Sequence, residues 1–233
     1  MRDEGNRRAL ILAGIAAMAV LSGPATVRAQ GQFAPARYVS GDPPDVWVEA
    51  VGGGEVFVEV TVTSAGRVGA LTPLRASPGF TQYVLAILRD WRFQPALQMG
   101  EGMSADGVRI APGPIQSKVF VACVFRPPSL IGPTFGEPST DVRAAAADVA
   151  FPFSTVTPPY PPMAIADASV VVEVTVGITG DVVNATAVRS VPGFDDAALT
   201  AARQWKFRPA RINRLLEETR AYIVFVFRRP VVF

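Results

Sequence analysis

Hydrophobic and polar residues alternate in two nearly identical stretches of the chain. In each, four valines lie two residues apart: Val56, Val58, Val60 and Val62, and Val170, Val172, Val174 and Val176. Period two with β-branched residues predicts a strand with one buried face. Gly66 and Gly180 follow these strands at the same distance, which fits a hairpin turn that needs positive φ. Second strands are therefore predicted at 68–76 and 182–190.

Each predicted hairpin is followed by a helix and a last strand. Pro-Gly-Phe ends the second strand in both stretches, and Thr81 and Asp195 stand at the expected N-cap positions. Pro95 and Pro209 cannot continue a helix, so each helix ends before them. Alternating patterns then predict last strands at Val119–Phe125 and 222–227.

The two stretches are copies of one unit. Residues 56–96 align with 170–210 at a constant offset of 114, and 19 of the 41 aligned positions are identical. Such a repeat sets the architecture before any other feature. The predicted fold class is α+β: two tandem units, each a small antiparallel three-stranded sheet with a packed helix in the order strand, strand, helix, strand.

The segments outside the units set the predicted boundaries. The first unit spans 42–126 and holds 12 extra residues between Gly100 and Pro114, which predict an extended loop. The second unit spans 158–230. Residues 127–157 are proline-rich and predict a semi-stiff linker, with a short helix around Asp141–Val149.

The N-terminus predicts export from the cytoplasm. Three arginines precede an apolar run from Ala9 to Leu21, and a plausible cleavage site follows Ala29. The run is shorter than the roughly 20 residues of a spanning helix. We therefore predict a signal peptide at 1–29 and a periplasmic protein; the alternative is an inner-membrane anchor formed by an uncleaved N-terminus.

The net charge of the chain gives no reason to expect nucleic acid as a partner. The chain has 22 basic and 20 acidic residues, and removal of 1–29 takes away four arginines and two acids, which leaves a formally neutral protein. Steering towards nucleic acid or anionic membranes is therefore not predicted. Almost half of the residues are hydrophobic, a composition that excludes intrinsic disorder.

The repeated unit resembles the C-terminal domain of TonB, the periplasmic energy-transducing protein. The shared features are a Tyr-Pro step, a glycine turn, a Ser-Gly-rich step into an Asp-capped helix, a Trp-Arg/Lys-Phe-x-Pro helix end and a final strand ending in Phe. They are found here at Tyr160–Ala164, Gly66 and Gly180, Ser190–Asp195, Trp91–Pro95 and Trp205–Pro209, and Phe125 and Phe227. The resemblance covers about 42–126 and 158–230, but the first unit lacks Tyr-Pro and the capping Asp.

This resemblance implies a non-enzymatic binding protein that pairs an extended segment of an envelope or outer-membrane receptor protein along a sheet edge. We expect that edge on the last strands, and the structural motif at the helix ends. The expected partner-binding residues are Tyr222, Val224, Val226, Phe120, Ala122 and Val124, and the motif residues are Trp91, Phe93, Pro95, Trp205, Phe207 and Pro209. The alternative is a structural cell-envelope protein whose two repeats pack as a pseudo-dimer without binding peptides.

Residue chemistry limits what else is expected. The chain contains no histidine, which removes Ser-His and Cys-His pairs and histidine-ligated metal sites, so no enzyme activity, cofactor, metal or small-molecule substrate is predicted. The classical transducer's functional histidine and long charged spacer are also missing, so coupling to the motor complex is not supported. Cys123 is expected to be a buried hydrophobe, with an intermolecular disulfide or reactive thiol as the alternative. Arg75 and Arg189 are expected to pair with Glu59 and Glu173.

Overall fold

A computed structural model describes residues 33–45, 52–103, 107, 109–128, 145–212 and 214–230. The predicted signal peptide at 1–29 and residues 129–144 of the predicted linker lie outside these ranges. Within them, no helix is long and apolar enough to cross a membrane.

The two halves of the structure share one order of elements, and the first half has three additional short strands. The first half contains, in chain order, β1 Phe33–Ala34, β2 Arg37–Ser40, β3 Gly54–Val62, β4 Val68–Arg75, α1 Thr81–Leu88, β5 Arg92–Gln94, β6 Ala96–Gln98, β7 Gly102–Met103, β8 Arg109–Ile110, β9 Gly113–Ile115 and β10 Ser117–Phe125. The second half contains β11 Phe151–Ser154, β12 Ala168–Val176, β13 Val182–Arg189, α2 Asp195–Arg203, β14 Lys206–Arg208, β15 Ala210–Ile212, β16 Leu215–Glu217 and β17 Thr219–Phe227. Among the described residues, the additional strands of the first half are β1, β7 and β8.

The main strands form one six-stranded sheet in the order β13-β12-β17-β10-β3-β4. Every neighbouring pair is antiparallel except β10 and β17, which run parallel. The expectation of two separate three-stranded sheets is therefore corrected: the two sets of three strands join through their last strands. The reason is visible in the buried runs of β10 and β17, which are apolar on both faces, as strands in a sheet interior are.

The two helices lie on opposite faces of this sheet. Alternate residues of β10 point to opposite faces. Val121 and Cys123 pack in the core that contains Val84 and Leu88 of α1. Ala122, between them, packs in the core that contains α2. The two halves are therefore related by a two-fold rotation about an axis parallel to the central strands, because such a rotation keeps the strand direction and exchanges the two faces of the sheet.

Both hairpin turns need glycine for the predicted reason. Gly66 has φ 74° and Gly180 has φ 87°. A Cβ added to either glycine would lie 1.9 Å from a backbone oxygen, that of Phe93 or Phe207. Each glycine carbonyl also accepts a 2.8 Å hydrogen bond from the N–H of the same phenylalanine. The turn therefore attaches each hairpin to the strand that follows the helix.

The predicted helix caps are corrected. Phe80 and Phe194 occupy the N-cap positions, and neither has a side-chain cap. Asp195 is instead the first helical residue, and its carboxylate accepts the N–H of Val191 at 2.9 Å. Thr81 does the same in the first half, where its Oγ1 accepts the Ser77 N–H at 2.9 Å. Both side chains fix the turn before the helix.

Two predictions about the connecting segments are also corrected. Residues 145–149 are not helical, and Ala145, Val149 and Phe151 are buried, so this end of the predicted linker belongs to the core. Residues 141–144 lie outside the described ranges. The predicted loop insertion contains a short strand pair, β7 with β8, followed by β9, which pairs with β6.

Candidate functional site

The strands expected to offer a free edge are the two central strands of the sheet. β10 pairs with β3 on one side and β17 on the other, and β17 pairs with β10 and β12. All six expected partner-binding residues are buried: Phe120, Ala122, Val124, Tyr222, Val224 and Val226. The expectation that these residues lie on an edge is corrected, because each copy occupies the edge of the other.

The parallel pair β10–β17 is the seam between the halves. Its register runs from Phe120 opposite Ala221 to Phe125 opposite Val226. The Arg126 N–H extends the pairing with a 2.9 Å bond to the Val226 carbonyl. A peptide can pair with either strand only if this seam opens or the strand loses its other neighbour.

Arm 1, residues 33–44, crosses from the first half onto the second. It pairs with β5 through β2, and its Tyr38 N–H donates to the Tyr222 hydroxyl at 2.7 Å. Arg220 donates to the Pro35 carbonyl at 3.0 Å. Further bonds join Ser169 to Pro44 and Arg189 to Asp42.

Arm 2, residues 145–156, makes the reciprocal crossing. It pairs with β14 through β11, and its Ala146 N–H donates to Glu59 at 3.1 Å. The Phe151 ring lies 6.3 Å from Phe57 and 5.8 Å from Phe120 of the first half. Each arm thus belongs to one half by strand pairing and covers the sheet of the other.

Polar groups at the two arm crossings differ although their positions correspond. Glu173 accepts the Tyr222 hydroxyl at 3.0 Å and lies 3.3 Å from the Arg220 guanidinium. In the first half, Lys118 lies 2.9 Å from Glu59. Phe120 corresponds to Tyr222, because each is the fifth residue before the phenylalanine that ends its strand. Burial, and then the Glu173 charge, raise the pKa of Tyr222, while the hydrogen bond to Glu59 is the main cause that raises the pKa of Lys118.

The motif at the helix ends holds the arms in place. Trp91 and Trp205 are fully buried, and each indole N–H donates to a backbone oxygen of an arm: Asp42 at 2.9 Å and Val156 at 3.0 Å. Phe93 and Phe207 are buried beside them. Pro95 and Pro209 lie over the turn glycines, each with its Cδ 3.5 Å from the ideal Cβ position.

Two arginines have other partners than expected. Arg75 pairs with Glu55 and lies over the Phe57 ring at 4.2 Å, and Arg189 pairs with Asp42 at 3.1 Å. Neither matches the predicted pairing with Glu59 or Glu173, because the hairpin register places Arg75 opposite Phe57 and Arg189 opposite Val171.

The described residues offer neither a reactive thiol nor a cluster of metal ligands. Cys123 is a free, fully buried thiol whose pKa is raised by that burial. Among the described residues, no three His, Cys, Asp or Glu side chains are grouped so as to hold a metal ion.

The outer edges of the sheet are formed by β4 and β13. Corresponding residues in these strands pair in the same way: Pro73 lies opposite Val58, and Ala187 lies opposite Val172. Apart from an isolated bridge just before each strand, to β5 or to β14, no strand in the described ranges pairs with the outer side of either. These are the places where the sheet still has unpaired backbone groups.

Comparison with known proteins bears on the second half. Residues 156–228 match the family model of the Gram-negative bacterial TonB protein C-terminal. The second half contains a TonB C-terminal-like domain. No curated protein and no solved structure matches the chain. The TonB C-terminal family consists of non-enzymatic, envelope-associated protein-interaction domains, which generally interact with outer-membrane receptors.

The arms were missed by the sequence reasoning. Arm 1 and arm 2 keep the offset of 114, since Arg37–Ser40 corresponds to Phe151–Ser154. Of these four positions only the serine is identical. The one available signal was that residues 145–151, apart from Asp148, are apolar within a segment that we predicted to be a linker.

Proposed function

We propose that this protein is a periplasmic, non-enzymatic binding protein of the TonB type, which engages an extended segment of an envelope or outer-membrane receptor protein. In this proposal, 42–126 is a divergent first TonB C-terminal-like domain and 158–230 is the second. The observation that carries the proposal is the TonB family match over 156–228. The same element order in the first half supports the tandem arrangement.

The seam limits how such a segment binds. A peptide reaches the partner-binding residues that the sequence predicts on β10 and β17 only in an open form of the sheet, since both strands have two neighbours. Strand addition at the seam would therefore replace the pairing between β10 and β17 by pairing of one of these strands with the peptide. Binding elsewhere would leave the seam closed.

An amide NMR titration of the chain from residue 30 tests the proposal, with peptides from the N-termini of outer-membrane receptors as probes. We expect shifts that saturate with peptide and cluster along one strand. The control is the same set of peptides with a central proline, which cannot donate to a strand ladder. Absence of any shift at millimolar peptide would contradict the binding function.

A second candidate function has its own support. The continuous sheet across both halves is the arrangement expected of a structural envelope protein, whose repeats pack as a pseudo-dimer without binding peptides. In that case the seam amides would be protected from exchange to the level of global unfolding, and no peptide would bind.

A further inference from the structure

The two outer edges of the sheet differ at one corresponding position. β4 has Pro73 opposite Val58, whereas β13 has Ala187 opposite Val172. Proline has no N–H, so within a sheet it is found on edge strands with its nitrogen facing away from the neighbouring strand. The same position in β13 therefore directs the Ala187 N–H outward, where an added strand can accept it.

The outward orientation of the backbone N–H recurs at every second residue of β13. Residues two apart in a strand direct their backbone groups to the same side, so Ala185 shares the orientation of Ala187. The pairing with β12 is regular from Ala187 through Asn184. Proline is a common device for blocking an exposed edge. β4 contains such a proline, Pro73, whereas β13 contains none.

The side chains of β13 specify what kind of strand fits. Ala185 is buried in the core that contains α2, and Ala187 and Leu199 are half-buried against the same core. Asn184 and Thr186, on the other face, are exposed. A matching strand would place small or β-branched apolar side chains next to the alanines and uncharged polar side chains next to Asn184 and Thr186.

We propose that the outer edge of β13 is the docking site of the protein, where an extended partner segment with alternating apolar and uncharged polar residues adds as a seventh strand. This inference rests on the proposed binding function and assigns it to a strand outside the seam. The seam stays closed while the segment binds, because β13 lies two strands away from β17.

Substitution at the corresponding positions tests the proposal on the chain from residue 30. The probe is a short peptide in which valine and threonine alternate, with a lysine at each end for solubility. We expect backbone amide shifts that centre on 184–188 and leave 219–227 unchanged. Ala187→Pro, which copies the first half, should weaken binding by about tenfold or more, because it removes a donor and disturbs the edge.

Pro73→Ala is the matched control and should leave affinity at β13 unchanged. Thermal unfolding shows whether Ala187→Pro remains folded. If it does not, methylation of the peptide nitrogens provides the same test on the unaltered protein. Methyl groups on the alternate nitrogens that face β13 should abolish binding, and methyl groups on the intervening nitrogens should not.

Two results would overturn the inference. One is a peptide that binds with its shifts on the seam strands; the other is a folded Ala187→Pro variant that binds as tightly as the native chain. In both cases binding itself persists, so the proposed function would survive while the docking site would be elsewhere. Failure of both the probe and the receptor peptides to bind would reject the function and the site together.

Discussion

Cys123 and Val224 lie opposite one another in the parallel register that joins β10 to β17. Both side chains are fully buried in the core on the α1 face. The only thiol of the chain is therefore a reporter at the centre of the seam.

Reaction of the Cys123 thiol with a soluble disulfide reagent should require opening of the seam. Burial raises the pKa of this thiol, and only the thiolate reacts. We expect labelling in native buffer to be on the order of 10³-fold or more slower than in concentrated urea. Labelling much faster than global unfolding would instead show that the seam opens locally.

Gly180→Ala should be among the most damaging single substitutions in the chain. The new Cβ would lie 1.9 Å from the Phe207 carbonyl oxygen, in a backbone with φ 87°. We expect a loss of at least about 3 kcal/mol in the free energy of unfolding, measured with urea, and a similar loss for Gly66→Ala.

Gly193→Ala is the matched control for this prediction. Gly193 has the same φ of 87°, but an added Cβ meets nothing within 4 Å. Its cost should be limited to the backbone strain, about 1–2 kcal/mol. Equal losses for Gly180→Ala and Gly193→Ala would show that the contact with Phe207 does not matter.

Tyr222→Phe should make stability less dependent on alkaline pH. The folded state raises the pKa of Tyr222 above the value of about 10 in an unfolded chain. The contribution of the neutral Tyr222 phenol to the free energy of unfolding is therefore complete below pH 10 and is lost as pH rises through the folded-state pKa. At pH 7 the variant should lose about 1–2 kcal/mol, since the Tyr38 N–H loses its acceptor.

Urea unfolding at pH 7, 9 and 11 checks this expectation. The difference between the native chain and the variant should narrow at pH 11. Tyr160→Phe serves as a control, because the Tyr160 hydroxyl bonds only the exposed Ala166 carbonyl among the described contacts. A difference that stays constant with pH would rule out Tyr222 as the titrating group.

Phe57→Ala should destabilise both halves together. Phe57 belongs to β3 of the first half, yet its ring lies 6.2 Å from Trp205 of the second. We expect a loss of about 3–5 kcal/mol, and a single unfolding transition when fluorescence and circular dichroism are compared. Phe153→Ala, at a side chain that is 70% exposed, should change stability by less than about 0.5 kcal/mol. Two separate transitions would mean that the halves fold independently.

The local elements of both halves were predictable from sequence, because local chemistry determines them. The valine alternation of β3 and β12, the turn glycines and the helix-ending prolines each act within a few residues. The seam was harder to predict, since a run such as that of β10 fits an interior strand in any sheet. The arms could not be predicted, because their positions depend on Trp91 and Trp205, each 49 residues from its acceptor.

The candidate binding residues show the same limit. Tyr222 and Phe120 lie on the strands that sequence reasoning selected, but an edge is a property of the assembled sheet. The Pro73 and Ala187 difference could be read from the alignment. Its meaning required knowledge of which strands are outermost.

The two-fold relation of the halves has a consequence for how this chain can diverge. Separate single-repeat chains arranged in this way would be an arm-swapped homodimer, whose assembly depends on concentration. Joined in one chain, the second repeat is always present at a high effective concentration. Neither repeat then has to be complementary to itself. Tyr222 can therefore accept a hydrogen bond from arm 1 where the corresponding Phe120 packs against arm 2, and one outer edge can contain a proline while the other does not.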